Sequence, residues 1–576
     1  MYRARLSSQL NRGIAASVRA SARPFRPLQT RSLASAVSVP SGKEPTELSS
    51  LSYLPNGIRV ASEALPGSFA GVGVYIEAGS RYENNYLRGV SHIIDRMAWR
   101  STTTKSFDDL QMMAESLGGH IQCVSSRESI MYQAATFNSN IPIATEFLAD
   151  TIQNPLLLDR EIQAELATAE YEIDEIWKRP DLIIPELVHM AAYKGNTLGN
   201  PLLIPKERIP EIDSAILRTY RDTFYRPEKM VIAFAGIPHS EAVQLATTFF
   251  GGMKGSERPI LSQTGSETSV DSLPDSANAS TSSLSSTSSS SQSSGFLSRM
   301  PLFKHLSTSA SRSASVSNQA LAPTLEQLAM PSHYTGGFVE LPPQPPSTNP
   351  QKPSHTYIQL AFEGLPIRSD DIYALATLNT LLGGGGSFSA GGPGKGIYSR
   401  LYTNVLNQYH WVEFCQAFNH SYTDSGLFGI AAQCKPERTQ DMLNVMCQEL
   451  KALTIDTGFA GLKEAEVERA KKQLRSSLLM NLESRMIELE DLGRQVQVHG
   501  YKIPVQEMCR KIEKLTVSDL RRVANEVMGG LVQNKGKGSG SPTVVIQEVQ
   551  DPLGSRKHAS WEEIQDKIFK WGLGRR

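Results

Sequence analysis

The sequence predicts an α+β chain of two structurally similar domains, each a mixed sheet packed with helices, joined by a long linker. Three observations carry this. The chain has 576 residues, too many for one compact core when domains run to roughly 100–250 residues. A strand-like run followed by a helical one occurs in each half, at 72–78 then 86–100 and again at 356–362 then 370–382, which suggests one plan used twice. Between the halves lies a tract dominated by Ser and Thr, with too few large apolar groups to offset the entropy of ordering.

Taken in chain order, the first forty residues stand apart. They carry Arg3, Arg5, Arg12, Arg19, Arg23, Arg26 and Arg31, many Ser and Ala, and no acid. Leu6, Leu10, Ile14 and Val18 recur every fourth residue, which on a helix makes one apolar stripe among arginines. This is the pattern of a mitochondrial transit peptide, expected over 1–33 with cleavage after Leu33, and the continuous apolar core of a secretory signal is missing. The first domain is expected over 49–254. Within it 72–78 reads as a strand, 86–100 and 106–116 as helices, the second capped by Thr104 or Ser106. Residues 160–177, with Ile162, Leu166, Ala169 and Ile173, make a long amphipathic helix that stops before Pro180, and 230–235 reads as a buried strand. The linker is expected over 255–335, including the serine run 280–294. The second domain is expected over 336–550, with a strand at 356–362, helices at 370–382 and 398–407, and one long helical pattern at 464–498. Residues 551–576 read as a C-terminal tail.

Composition narrows the function. An apolar fraction of 40% and a charged fraction of 20% are those of a globular protein, and no run approaches the ~18 apolar residues of a spanning helix. Lys plus Arg and Asp plus Glu are both 58, so average charge argues for no nucleic-acid partner. Cys123, Cys415, Cys434, Cys447 and Cys509 are scattered without a C-x-x-C pair and read as buried thiols.

The segment from Gly383, Gly384, Gly385 and Gly386 through Ser387, Phe388, Gly391, Gly392, Gly394 and Lys395 can adopt unusual backbone angles and expose main-chain N–H and C=O groups to an extended peptide. It is no nucleotide loop: a Walker A motif ending at Lys395 needs glycine at Ser389 and a hydroxyl at Gly396. Nor is Ser387 a nucleophile elbow, since Ser389 stands where the closing glycine belongs.

The run GGGGSFSAGGPGKGIYSRLY at 383–402 and the run FNHSYTDSGLFGI at 418–430 resemble those of the alpha subunits of mitochondrial processing peptidases, non-catalytic members of the pitrilysin-like, inverted-zinc-motif metallopeptidases. The resemblance covers roughly 49–254 and 336–530. It implies that the glycine-rich residues named above, Lys395 included, contact presequences; since a cation repels a basic peptide, anchoring the loop is the alternative role for Lys395. Catalytic relatives carry H-x-x-E-H, two histidine ligands with a glutamate base, and a third ligand 76 positions on. Here the matching stretch is His92, Ile93, Ile94, Asp95 and Arg96, with Glu172 at the third position. Asp95 is one methylene shorter than the base, and Arg96 is a permanent cation where a lone pair is needed. The expectation is therefore no catalytic residue and no metal in this chain, an ion pair between Arg96 and Glu172, and a hydrogen-bonded core histidine at His92. The resemblance further implies a homologous beta subunit holding zinc, a heterodimer acting on arginine-containing presequences in the mitochondrial matrix, and a position in the matrix or against the inner membrane. Two rivals remain at this stage: a structural core protein of the respiratory cytochrome bc complex, and an independently active metallopeptidase, which Arg96 argues against.

Overall fold

The computed structural model describes residues 49–195, 197–254, 322–349, 353–384, 398–456, 458, 460–551 and 560–576. The transit segment and the serine run lie outside the described residues. Six strands form the first sheet: β1 (Ser49–Tyr53), β2 (Arg59–Glu63), β3 (Phe69–Ile76), β4 (His120–Ser125), β5 (Ile130–Phe137) and β6 (Met230–Ala235), in the order β1-β2-β6-β3-β5-β4. Five form the second: β7 (Gly337–Gln344), β8 (Thr356–Gly364), β9 (Val412–Ser421), β10 (Gly426–Cys434) and β11 (Thr543–Val549), in the order β7-β11-β8-β10-β9. Apart from the extra edge strand β1, the two orders are the same. In each sheet the last strand returns between the first two, pairing parallel with one neighbour (β6 with β2, β11 with β7) and antiparallel with the other. The repeat that was faint in the residues is plain in the topology.

Alternation along the strands explains the layers. In β3, Val72, Val74 and Ile76 face one way into a core shared with the helices Ile141–Gln153 and His239–Phe250, while Tyr75 faces the other. That second face is covered by a helix from the other half of the chain: Leu489, Leu492 and Val496 of Arg485–His499 pack on Ala61, Tyr75, Val231, Ala233 and Ala235. The exchange is reciprocal. Ile184, Leu187, Val188 and Ala191 of the helix Pro180–Ala192 pack on Val339, Leu341, Ala361 and Val545 of the second sheet. The approach is close at Gly493, where a Cβ would lie 2.0 Å from a Tyr75 ring carbon. The Tyr75 hydroxyl donates to the Leu489 carbonyl at 2.7 Å and accepts from Gln133 at 2.8 Å.

Several expected elements differ. The helix expected over 86–100 is only Val90–Arg96. It starts late because the Glu83 carboxylate accepts from Gly89 N and Ser91 N, both at 2.7 Å, and Gly89 sits at φ 80°, a conformation suited to glycine. The pattern at 464–498 is two helices, Glu464–Asn481 and Arg485–His499, broken at 482–484, because the first stays on the second half and the next crosses to the first sheet. Residues 398–407 yield a π-helical turn, Leu401–Leu406. Ser106 caps its helix with a full capping box, whereas Thr104 donates to Asp150 instead. Within the expected linker, 322–335 is structured: Ser332 and Tyr334 are fully buried. The expected tail contains the helix Trp561–Lys570, whose Ile564 and Ile568 join the second core and whose Trp561 stacks on Phe338 at 5.2 Å. All five cysteines are free; four are buried and Cys123 is half-buried.

Candidate functional site

His92 and Arg96 sit one turn apart on the helix Val90–Arg96, so both side chains leave the same face. Glu172 comes from the long helix Asp159–Trp177. The Arg96 guanidinium lies between the other two. Nη1 donates to Glu172 Oε1 at 3.0 Å, Nη2 pairs with Oε2, and Nε donates to His92 Nε2 at 3.1 Å. A planar fork with five donors suits this bidentate arrangement. Burial, with the Arg96 charge second, lowers the His92 pKa to about 4, so the ring is neutral. A neutral imidazole has one lone pair, yet the amide of Ile204 also faces it, at 3.3 Å from Nδ1. The charged donor is the stronger of the two and takes it.

The residue standing in for the base is turned elsewhere. Asp95 Oδ2 accepts from Ser125 N at 2.8 Å and Ser125 Oγ at 2.9 Å on β4. Burial raises the Asp95 pKa despite those bonds. Glu175 pairs with Lys178 at the exposed end of its helix. The donor set does not fit a zinc ion: the guanidinium has no lone pair and already engages both remaining ligand positions. Among the described residues no cluster of three or more His, Cys, Asp or Glu could hold a metal.

Only the foot of the glycine-rich run is described. The helix Ile372–Leu382 ends at Gly383, φ 124°, and the amides of Gly383 and Gly384 both donate to the Asn379 carbonyl, at 3.0 and 2.8 Å. A Cβ on Gly384 would fall 2.2 Å from Asn379 Oδ1. Gly385, Gly386, Ser387, Phe388, Gly391, Gly392, Gly394 and Lys395 lie outside the described residues. On the return, buried Arg400 pairs with Glu466 at 2.5 Å and donates to the carbonyls of Ala460 and Gly461. Both ends of the run are thus tied to the second half.

The second run, 418–430, forms the β9–β10 hairpin, and its turn reaches the first half. Arg81 donates to Asp424 at 2.7 and 2.5 Å and pairs with Glu128, whose other contacts are the amide and hydroxyl of Thr423, both at 3.0 Å. Asp424 also accepts from Ser332 N at 2.7 Å. Burial pushes the Asp424 pKa up, but the Arg81 guanidinium and the hydrogen bonds from Ser332 together hold it below the usual range. Beside the turn, the Tyr422 hydroxyl donates to His189 Nε2 at 2.7 Å, while His189 Nδ1 donates to the Pro185 carbonyl. Sequence reasoning missed this clasp. Asp424 lay within a run already singled out, but Arg81 and Glu128 belong to no motif and could not have been found.

Comparison with known proteins bears on this geometry. The family described as insulinase (peptidase family M16) matches residues 59–206, and the one described as peptidase M16 inactive domain matches 211–286 and 302–474. The chain is 60% identical over 575 residues to the mitochondrial-processing peptidase subunit alpha of Neurospora crassa, covering 100% of this chain and 99% of the relative. It is 40% identical to the probable mitochondrial-processing peptidase subunit alpha of Schizosaccharomyces pombe over 87% of this chain and 86% of that one. To the mitochondrial-processing peptidase subunit alpha of Homo sapiens it is 32% identical, over 87% and 84%.

Proposed function

This chain belongs to peptidase family M16, among the mitochondrial-processing peptidase alpha subunits, and on that premise we propose that it is the substrate-binding subunit of a heterodimeric presequence peptidase. The observation that carries the reading is the guanidinium of Arg96, bonded at once to His92 and Glu172 where a catalytic relative would hold metal. A chain so occupied does not activate water. Hydrolysis then belongs to a homologous, zinc-bearing beta subunit, and this chain contributes the glycine-rich run from Gly383 to Lys395 and the walls around it. Its substrates are extended, arginine-containing presequences, and its own residues 1–33 have that character. The place of action is the mitochondrial matrix.

The test is to express residues 34–576 alone and together with the beta subunit, and to assay cleavage of a presequence peptide alongside zinc content. The expected result is hydrolysis only in the mixture, with zinc in the partner, and weaker presequence binding after deletion of 383–392. Full activity and stoichiometric zinc in this chain alone would overturn the reading. An inactive mixture whose presequence binding survives the deletion would favour a structural core protein instead.

A further inference from the structure

A pocket of about 170 Å³ opens between the helices Ile372–Leu382 and Glu464–Asn481 and strand β9. Its polar lining is Asn379, Thr380, Asn419, Gln473 and Ser477, and among the described residues no charged side chain borders it. Among the described residues, the carboxamide oxygens of Asn379 and Asn419, both shielded from solvent, have no hydrogen-bond partner, a situation native structures rarely leave without an occupant. Thr380 spends its proton on the Ala376 carbonyl, so its remaining capacity is also as an acceptor. The terminal torsion of an asparagine is broad and two-fold, so a modest rotation presents either oxygen to the pocket.

The position of this pocket is as telling as its chemistry. Asn379 is the residue whose carbonyl holds Gly383 and Gly384 and whose side chain fills the space a Cβ at 384 would need. Asn419 belongs to the run 418–430. The pocket therefore joins the residue that holds the foot of the first run to a residue of the second.

We propose that this pocket is a subsite for an arginine side chain of the bound presequence, an inference that rests on the substrate-binding role above. Two unpaired carboxamide oxygens favour a ligand rich in donors. A carboxylate could accept from Gln473 or Ser477 but would leave both oxygens unpaired, and a carboxamide or hydroxyl brings fewer donors than a guanidinium does. Guanidinium has five N–H groups and no acceptor, and it is more weakly hydrated than an ammonium, so it enters an uncharged pocket more readily than lysine does. The volume far exceeds the roughly 10–15 Å³ that a single water requires, and is enough for a planar guanidinium.

The test uses the active heterodimer and a presequence peptide. Asn419→Asp keeps the shape and adds a negative charge, so KM is expected to fall roughly three- to tenfold, because a charge-assisted hydrogen bond is about twice as strong as a neutral one. Asn419→Leu is expected to raise KM with kcat little changed. Replacing the peptide's arginines one at a time by citrulline should abolish the Asn419→Asp gain at one position, which identifies the bound arginine. Unchanged KM in both variants would mean a water-filled pocket, and a raised KM in Asn419→Asp would mean that an acceptor such as a peptide carbonyl binds there; either result overturns the proposal while leaving the substrate-binding role intact. A beta subunit that cleaves with the same KM in the absence of this chain would overturn that role and the subsite with it.

Discussion

At the scale of single residues, burial decides which ion pairs matter. The side chains of Arg96 and Glu172 are 24% and 37% exposed, so solvent screens their attraction and Glu172→Gln should cost less than about 1 kcal/mol. Arg81 and Asp424 are 8% and 7% exposed. Arg81→Met would leave two buried carboxylates without their cation and should cost about 3–5 kcal/mol. Denaturant titration of the two variants side by side measures this: a clear loss for Arg81→Met beside a nearly wild-type midpoint for Glu172→Gln. Arg96→His is the informative change for metal. It supplies an imidazole next to His92 and Glu172, and zinc analysis is expected to find metal in this variant and not in the parent. Peptide hydrolysis should stay absent, since Asp95 remains bound to Ser125. His92 also sets a pH dependence. Its folded pKa of about 4 lies below the ordinary 6.5, so between these values the unfolded chain binds the extra proton. The stability His92 contributes is complete above about pH 6.5 and is lost as the pH falls towards 4. The advantage of the wild type over His92→Gln in thermal melts should shrink across that window; an advantage independent of pH would mean that the ring is not held neutral.

At the scale of elements, the helix Arg485–His499 gives the sharpest case. Alanine in place of a helix-interior glycine ordinarily stabilises by roughly 1 kcal/mol. At Gly493 the added Cβ would meet the Tyr75 ring at 2.0 Å, and overpacking of this kind costs about 1–3 kcal/mol. Gly493→Ala is therefore expected to lower the melting midpoint, and Tyr75→Leu in the same chain should recover part of the loss. This helix also shows how far periodicity can be read. Residues 464–498 kept a helical spacing throughout, yet the chain breaks at 482–484 because its two parts bury their apolar faces on different sheets. The helix Val90–Arg96 was legible as a helix but not in its length, since its start depends on Glu83 capturing two amides, a contact no spacing rule contains.

At the scale of the whole molecule, the exchange of helices makes the stability of each half depend on the other. Leu492 is 1% exposed and lies in the second half by sequence, yet it packs on the first sheet. Leu492→Ala is expected to cost about 2–5 kcal/mol, and amide hydrogen exchange should show the lost protection in β3 and β6 rather than in β8 and β10. Two buried charge clusters reinforce the junction. Arg81 holds Asp424 on one side, and on the other Lys502 pairs with Glu63 of β2 at 2.8 Å and with Glu488.

The sequence by itself determined the class of fold and the division into two similar halves, because alternation and helical spacing are local properties, and residue 96 by its identity puts a cation where catalytic relatives carry a ligand. The resemblance to the family's metal motif named His92, Asp95, Arg96 and Glu172, and composition singled out the glycine-rich run. Only the tertiary structure decided that Arg96 bonds both former ligand positions, that Asp95 faces Ser125, that the turn at Asp424 fastens onto Arg81, and that Asn379 and Asn419 share a pocket. Each of these joins residues far apart in the chain or sets the direction of a single side chain, and such pairings are selected by the packing of whole sheets and helices, which no local pattern encodes.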